Sequence, residues 1–409
     1  MDVSVAAVFL FVYLGMILGK IPGLALDRTG IALLGAIFLL ALGKIRPEDA
    51  WRSVDVPTIA LLLGLMVLSA QFRLGGLYAH LTRRLGAMQV SPALFLGLLI
   101  LCAGFLSALL ANDIVCLAMT PVLAESCAKR RLDPVPFLLA LACAANVGSA
   151  ATLIGNPQNM LIGQTLNLSF VGYLLDAAAP ALFGLATVWL VINRNSRTNW
   201  IRETSVPTVE PPPFNAWQTG KGALVLCLLV GLFIFTKLPR DVLALGAAGW
   251  LLSSRRMSSS RILGLVDWHL LVLFCGLFIV NHVLAASGNL DRIMTVVRST
   301  GININDPGWL FGVTVVLSNL VSNVPATMLL LPATLHPMAG SILALASTLA
   351  GNLLVVGSIA NIIVIEQAKT LGIRITWQEH ARVGIPITLI SLTFAAAWLW
   401  LRAFLWPAP

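Results

Sequence analysis

The chain has 409 residues, 58% of them hydrophobic and only 11% charged, with a mean hydropathy of +0.91. A soluble domain carries about 25% charged residues, so this composition excludes a soluble globular protein, and apolar runs of this length make helical spans rather than barrel strands. The net charge of +9 comes from Lys and Arg in short loops between apolar runs, where they set topology and meet anionic lipid rather than nucleic acid.

In chain order, apolar runs predict spans near 3–19, 30–43 and 56–72. The first lacks a basic leader and a small-residue cleavage site, so it reads as a retained span. Segment 92–127 is apolar but interrupted at Leu110-Ala-Asn-Asp113, which predicts a hairpin with a polar tip, either re-entrant or made of two short arms. Spans near 136–165 and 173–192 complete a first unit, 1–192. The polar stretch 193–221, holding Pro207, Pro211, Pro212 and Pro213, reads as a linker. A second unit, 222–409, carries spans near 222–236, 242–252 and 268–285, a hairpin over 308–332 tipped by Ser322-Asn-Val-Pro325, and spans near 342–366 and 384–402.

The two units match in order. Ile31-Ala-Leu-Leu-Gly35 aligns with Val242-Leu-Ala-Leu-Gly246, an offset of 211, and Val54-Asp55 with Gly64 aligns with Val266-Asp267 and Gly276 at 212. Ser107, Asn112 and Pro121 align with Ser318, Asn323 and Pro332 at 211, and Gly155-x-x-x-Asn159 aligns with Gly357-x-x-x-Asn361 at 202. An odd number of spans makes the second copy enter from the opposite side. The expected fold is an all-α polytopic membrane protein of two inverted repeats, each about five transmembrane helices plus a re-entrant-type hairpin.

Eighteen basic residues, running from Lys20 and Arg28 through Arg197 and Lys221 to Arg382, fall on one side of these spans. Eight fall on the other: Lys44, Arg46, Arg52, Lys237, Arg240, Arg292, Arg298 and Arg402. The richer side is expected to be cytoplasmic, which places the linker inside a cell inner membrane and both termini outside. Trp51, Trp200, Trp217, Trp268, Trp309, Trp377 and Trp406 fall near predicted interfaces, as an aromatic belt would.

A helix is not broken in hydrocarbon without a reason, because every backbone group there needs a partner. This chain breaks four: at 107–113, 146–159, 318–325 and 347–361. Three of them combine Gly or Pro with Asn, Ser or Thr, and the first carries Ser107 and Asn112. A single Gly or Ser packs helices closely, but Asn-bearing breaks in repeat-related positions build a shared site near the midplane. The candidate polar cage is Asn112, Thr152, Asn156, Asn159, Ser322, Asn323, Asn352, Ser358 and Asn361, with Gly155 and Gly357 unwinding the spans. Unwound carbonyls suit a small cation, so Na+ could bind at the same breaks, and helix N-termini attract an anion.

Asp113 is expected among the substrate- and ion-binding residues, and as the acid that carries a coupling proton or exchanges charge with the substrate, since a carboxylate at a hairpin tip is costly unless it faces a cation, a proton path or water. Glu366 and Asp176 read as interfacial, and Glu125, beside Lys129, as solvated. The five histidines share no metal-ligand spacing. The six cysteines form no CxxC pair and read as packing residues. No Walker A, HExxH, GxSxG or CxxCH motif occurs, so neither an enzyme nor a cofactor is expected.

The strings LLANDIVCLAMTPVL (Leu109 to Leu123), AANVGSAATLIGNPQNMLIG (Ala144 to Gly163), SNLVSNVPATMLLLP (Ser318 to Pro332) and ALASTLAGNLLVVGSIANIIVIEQAK (Ala344 to Lys369) resemble the ion transporter superfamily. Within it they look most like the arsenite permease and Na+/H+ antiporter branch, with citrate and dicarboxylate carriers more distant. The resemblance implies a scaffold and a transport part in each half, an elevator-type cycle, substrate bound between hairpin tips and unwound spans, and a homodimer. Sodium-coupled members carry Ser-Asn-Thr at both tips. Here the tips are Ala111-Asn112-Asp113 and Ser322-Asn323-Val324, which argues against sodium-coupled dicarboxylate transport.

The expected function is proton-coupled export of arsenite, antimonite or a related small anion. No guanidinium stands inside a predicted span short of Arg402 at the very end of the last one, and a neutral species such as arsenous acid needs none. Na+/H+ antiport, sodium-coupled uptake of carboxylate or inorganic anions, and passive channel flux are the alternatives.

Overall fold

The computed structural model describes residues 2–19, 23, 25–196, 200–202, 206–207, 210 and 212–405. Lys20, Arg197 and Trp406 of the interface reading, and part of the linker, lie outside the described residues.

The first half folds into α1 (Val3–Leu18), α2 (Arg28–Ala41), α3 (Pro47–Ser53), α4 (Val56–Leu74), α5 (Leu77–Ala87), α6 (Pro92–Leu109), α7 (Asn112–Lys129), α8 (Pro134–Ser149), α9 (Pro157–Thr165) and α10 (Phe170–Ser196). The second repeats the series. It comprises α11 (Ala216–Phe235), α12 (Arg240–Leu252), α13 (Ser259–Leu263), α14 (Trp268–Ala286), α15 (Asn289–Ser299), α16 (Pro307–Val321), α17 (Asn323–Leu330), α18 (Ala339–Ala350), α19 (Ile359–Thr370) and α20 (Trp377–Leu405). No strand occurs among the described residues, apart from an isolated bridge between Leu132 and Ile201.

Six helices among the described residues are long and apolar enough to cross a bilayer: α4, α6, α10, α11, α14 and α20. The helices α1, α2, α8, α16, α17 and α18 are apolar but shorter. Three crossings, a hairpin, a broken crossing (α8–α9) and a last crossing (α10) bring the second half in from the opposite face. The repeats are therefore inverted.

Local chemistry places the ends. Asp55 and its repeat mate Asp267 cap α4 and α14, each accepting at 2.9 Å from the backbone N–H three residues on, at Thr58 and Leu270. Gly76 (φ 74°) and Gly288 (φ 71°), also 212 apart, turn the chain out of these helices through the left-handed region. After each turn comes a short amphipathic helix, α5 or α15, that the sequence reading did not anticipate, because neither carries an apolar run. α5 covers the C-terminal end of α7, where a Cβ on Gly86 would lie 2.6 Å from Ser126 Cβ. That cover corrects the reading of Glu125, which is only 5% exposed and pairs with Lys129 at 2.7 Å rather than standing in solvent. Asp176 is likewise held: Arg402 Nε donates to it at 3.0 Å and Ser341 Oγ at 2.7 Å, tying α10 to α20 and α18. Cys227 is the exposed exception to the packing role of the cysteines.

One layer is built by swapped pairs, with α4 packed on α12 and α14 on α2. A Cβ on Gly64 would stand 2.6 Å from the Ala244 backbone, and one on Gly276 would stand 2.8 Å from that of Ala32. Gly64 and Gly276 are 212 apart, as are Ala32 and Ala244, so packing sets the register here at 212, one residue from the 211 of the Ile31–Gly35 match. The other layer holds the two hairpins, the two broken crossings and the pair α10 and α20.

Candidate transport site

The four interruptions fall within this second layer. α6 and α7 meet at Leu110-Ala111, α8 and α9 are separated by 150–156, α16 and α17 meet at Ser322 (φ 77°), and 351–358 separates α18 from α19. The second segments of the two broken crossings, α9 and α19, start with a side-chain cap. Asn156 accepts from Asn159 N at 2.9 Å ahead of Pro157 at the first position of α9, and Ser358 accepts from Ala360 N at 3.2 Å to start α19.

The breaks are closed by asparagines. Asn159 Nδ2 donates to the carbonyls of Ser149 (3.3 Å) and Thr152 (3.0 Å), and Asn361 Nδ2 to those of Gly351 (2.9 Å) and Leu354 (3.3 Å). Tyr173 adds to the first break, its hydroxyl donating to Ala150 O at 2.8 Å. Gly155 lies where a Cβ would be 2.3 Å from Ser149 O and 2.8 Å from Ser107 O, so no side chain fits. Gly357 is similarly pressed on Asn319 Oδ1, 2.9 Å from its would-be Cβ.

The two breaks also bond to each other, symmetrically. Ser358 Oγ donates to Asn146 Oδ1 at 2.7 Å, and the mate pair, Asn156 Nδ2 and Thr348 Oγ1, bonds at 3.2 Å. Asn146 Nδ2 donates to Asn361 Oδ1 at 3.1 Å, and Thr348 Oγ1 to Asn159 Oδ1 at 3.4 Å. All four relations keep the offset of 202. Asn146 also donates to Asn352 Oδ1 at 2.8 Å, while Asn352 O faces His380 Nε2 at 3.1 Å. Asn146 and Thr348 are thus central to the cage, although the sequence reading did not select them as site residues. Both lie at the head of the breaks read at 146–159 and 347–361, and the offset of 202 marks them as a pair.

The hairpin tips differ. At the second, the Ser318 hydroxyl lies within hydrogen-bond reach of Asn323 Oδ1 and of Ser347 O, and Asn319 Oδ1 is buried with no hydrogen-bond partner among the described residues. At the first, Asn112 Nδ2 reaches Asn146 Oδ1 at 3.4 Å, but Asn112 Oδ1 and Ser107 Oγ are buried with no hydrogen-bond partner among the described residues. Thr152 Oγ1 donates to Ala108 O beside them, whereas its mate Leu354 carries no hydroxyl. Two unpartnered buried oxygens at one tip leave capacity for a ligand with hydroxyl donors, or for a cation.

Asp113 stands apart from this cage. Its side chain lines a cavity of about 30 Å³ with Leu62, Leu65 and Met66 of α4, Pro157 and Met160 of α9, and Asp267 at the start of α14. It therefore faces the first layer, at the contact between the two. The tips meet that layer through repeat mates as well. Ser69 Oγ accepts from Ala111 N at 3.4 Å, and Asn281 Oδ1 accepts at 2.9 Å from Tyr13, whose hydroxyl also reaches Pro325 O at 3.3 Å. Glu366 lies on α19, past the cage. No group of three or more His, Cys, Asp or Glu side chains able to hold a metal occurs among the described residues.

Known proteins share this architecture. The chain is 29% identical to an uncharacterized transporter of Mycobacterium bovis, over 98% of this chain and 99% of that protein. It is 28% identical to the silicon efflux transporter of Oryza sativa subsp. japonica, over 91% and 92%. The crystal structure of the YdaH transporter of Alcanivorax borkumensis has the same fold, with a TM-score of 0.60 at 15% identity and 99% of each chain covered. The citrate transporter family (CitMHS) matches residues 13–350, and the chain belongs to this family of multi-pass membrane transporters within the ion transporter superfamily.

Proposed function

We propose that this transporter exports a small uncharged oxyacid, arsenous acid or its antimony analogue first, by coupling to a proton gradient and by an elevator-type movement. The observation that carries this reading is the neutral cage with unpartnered Asn112 Oδ1 and Ser107 Oγ at its edge. Asn, Ser, Thr and backbone groups supply hydrogen bonds to hydroxyls but no fixed positive charge for a multivalent anion. The silicon efflux activity in the name of the rice relative agrees, because silicic and arsenous acids are both uncharged polyhydroxy molecules at neutral pH.

In this reading Asp113 is the coupling residue. Asp267 shares its cavity, and two carboxylates at the contact between layers offer a place to hold and release one proton as the layers slide. The layer of α2, α4, α12 and α14 acts as the scaffold and the layer of hairpins and breaks as the moving part. The units are 1–192 and 222–409, with the 193–221 linker cytoplasmic, both termini extracytoplasmic, and two copies joined through the scaffolds.

A second reading, uptake of a carboxylate with Na+, is favoured by the description of the matching family as citrate transporters. Everted membrane vesicles separate the two. Arsenite accumulation driven by an imposed proton gradient supports export of the neutral acid. Citrate uptake that requires sodium, with no arsenite accumulation, would replace it, and flux with no accumulation in any gradient would point to a channel.

A further inference from the structure

Arg240 and Arg28 occupy the same place in the two halves, each the first residue of its helix (α12 and α2) and 212 positions apart. Their surroundings differ. Arg240 reaches from α12 to the end of α9, where its Nη2 donates to Leu168 O at 2.6 Å and to Gly163 O at 3.2 Å. These carbonyls close the last turn of α9, in which Leu168 N bonds back to Gly163 O at 3.1 Å around Asn167 at φ 49°. A guanidinium there meets the negative end of a helix and the carbonyls of its closing turn.

α19 ends in the same turn. Ile373 N bonds back to Ala368 O at 2.9 Å around Gly372 at φ 80°. The residues correspond at a constant offset of 205: Gly163 with Ala368, Asn167 with Gly372, Leu168 with Ile373. The arginine that matches this second turn is Arg28, yet Arg28 does not dock on it, and its Nε is buried with no hydrogen-bond partner among the described residues. One half of the molecule thus has an arginine engaged on a helix end, and the other has an arginine with an unpartnered Nε and a helix end that this arginine leaves unclaimed.

We propose that Arg240 and Arg28 are alternating latches between the two layers: one conformation docks Arg240 on the end of α9, and the opposite conformation docks Arg28 on the end of α19. The inference rests on the elevator reading, because Arg240 belongs to the scaffold layer and α9 to the moving one. Exchanging the roles of the inverted halves would bring Ala368 O and Ile373 O to Arg28 and withdraw Gly163 O and Leu168 O from Arg240. Each arginine then offsets the exposure of the other, so neither end state is favoured strongly.

Cysteine pairs report the two states in membranes carrying the full chain, in a background with the six native cysteines replaced. Thr165→Cys with Lys237→Cys marks the present state, since both positions line the open cavity beside docked Arg240. Their mates, Thr370→Cys with Ala25→Cys, mark the exchanged state, and a short bifunctional thiol reagent traps each pair. Both pairs are expected to cross-link. Arg240→Gln should shift the ratio at least ten-fold toward the second pair and Arg28→Gln at least ten-fold toward the first, since each removes a guanidinium that donates to two carbonyls when docked. Lys at either position should shift it less. If the second pair cross-links but neither Gln variant moves the ratio, or both move it the same way, the latch is overturned and the elevator reading stands. If the second pair never cross-links, both are overturned.

Discussion

Asn159 and Asn361 make the same pair of hydrogen bonds, each Nδ2 closing its helix break onto the carbonyls ten and seven residues earlier. The correspondence holds although the surrounding side chains differ, with Thr152 on one side and Leu354 on the other. These bonds satisfy carbonyls that the breaks would otherwise leave bare in a membrane. Replacing either Asn by Leu should destabilise the protein by about 1–3 kcal/mol, the cost of leaving such groups unpaired. Thermal unfolding in detergent checks this, and equal losses for the two variants would confirm that the halves carry the site jointly.

Asn146 should be the more sensitive position for transport. Asn146→Ala removes the partner of Asn352, Asn361 and Ser358 together, so transport should fall at least ten-fold, since a buried network loses more than one bond. Thr348→Val removes the bonds to Asn156 and Asn159 from the opposite half. The two substitutions should be non-additive in a double-mutant cycle read by substrate affinity, because they cut one network.

Gly155→Ala should abolish transport, because the new methyl would overlap Ser149 O at 2.3 Å and push the first break against α6 and α8. Gly246→Ala is the control: nothing lies within 4 Å of its would-be Cβ, and a helix interior gains about 0.5–1 kcal/mol from Gly to Ala. Vesicle flux and melting temperature, measured on both variants, should diverge in opposite directions.

Gly64→Val and Gly276→Val should each lower stability by about 1–3 kcal/mol, typical of overpacking, since both glycines lie against helix backbone. The effect belongs to the scaffold layer. Substrate affinity of the folded fraction should stay at the wild-type value, which binding measured on refolding-competent protein would test.

Asp113→Asn should leave substrate binding in place and remove the dependence of flux on the proton gradient, because Asp113 faces the contact between layers and not the cage. Asp267→Asn, across the same cavity, should shift the pH profile of flux without abolishing it. Flux measured against imposed pH gradients of both signs distinguishes the two.

Much of this arrangement is legible in the sequence where a rule is broken. Asn112, Pro157, Ser322 and Asn361 stand out because polar or helix-breaking residues interrupt apolar runs, and all four fall at helix starts, at a joint or in the cage. Partnerships created by packing leave no such mark. Asn146 and Thr348 lie at the head of the breaks and acquire partners only when the halves cross. Glu125 reads as solvated beside Lys129, because nothing in its own segment announces that α5 will lie over it. Asp113 adjoins Asn112 in sequence but points the other way, since successive residues at a helix start face different sides. The short helices α3, α5, α13 and α15 escape a reading tuned to long apolar runs.

The central claim is that the cage recognises an uncharged molecule through neutral groups. Binding of arsenite to the purified protein by calorimetry, across pH values that span the ionisation of arsenous acid, tests it most directly. Affinity should stay constant while the acid is neutral and fall as it ionises, and Ser107→Ala should weaken it throughout. Affinity that rises as the anion forms, or citrate binding with no arsenite binding, would contradict the account.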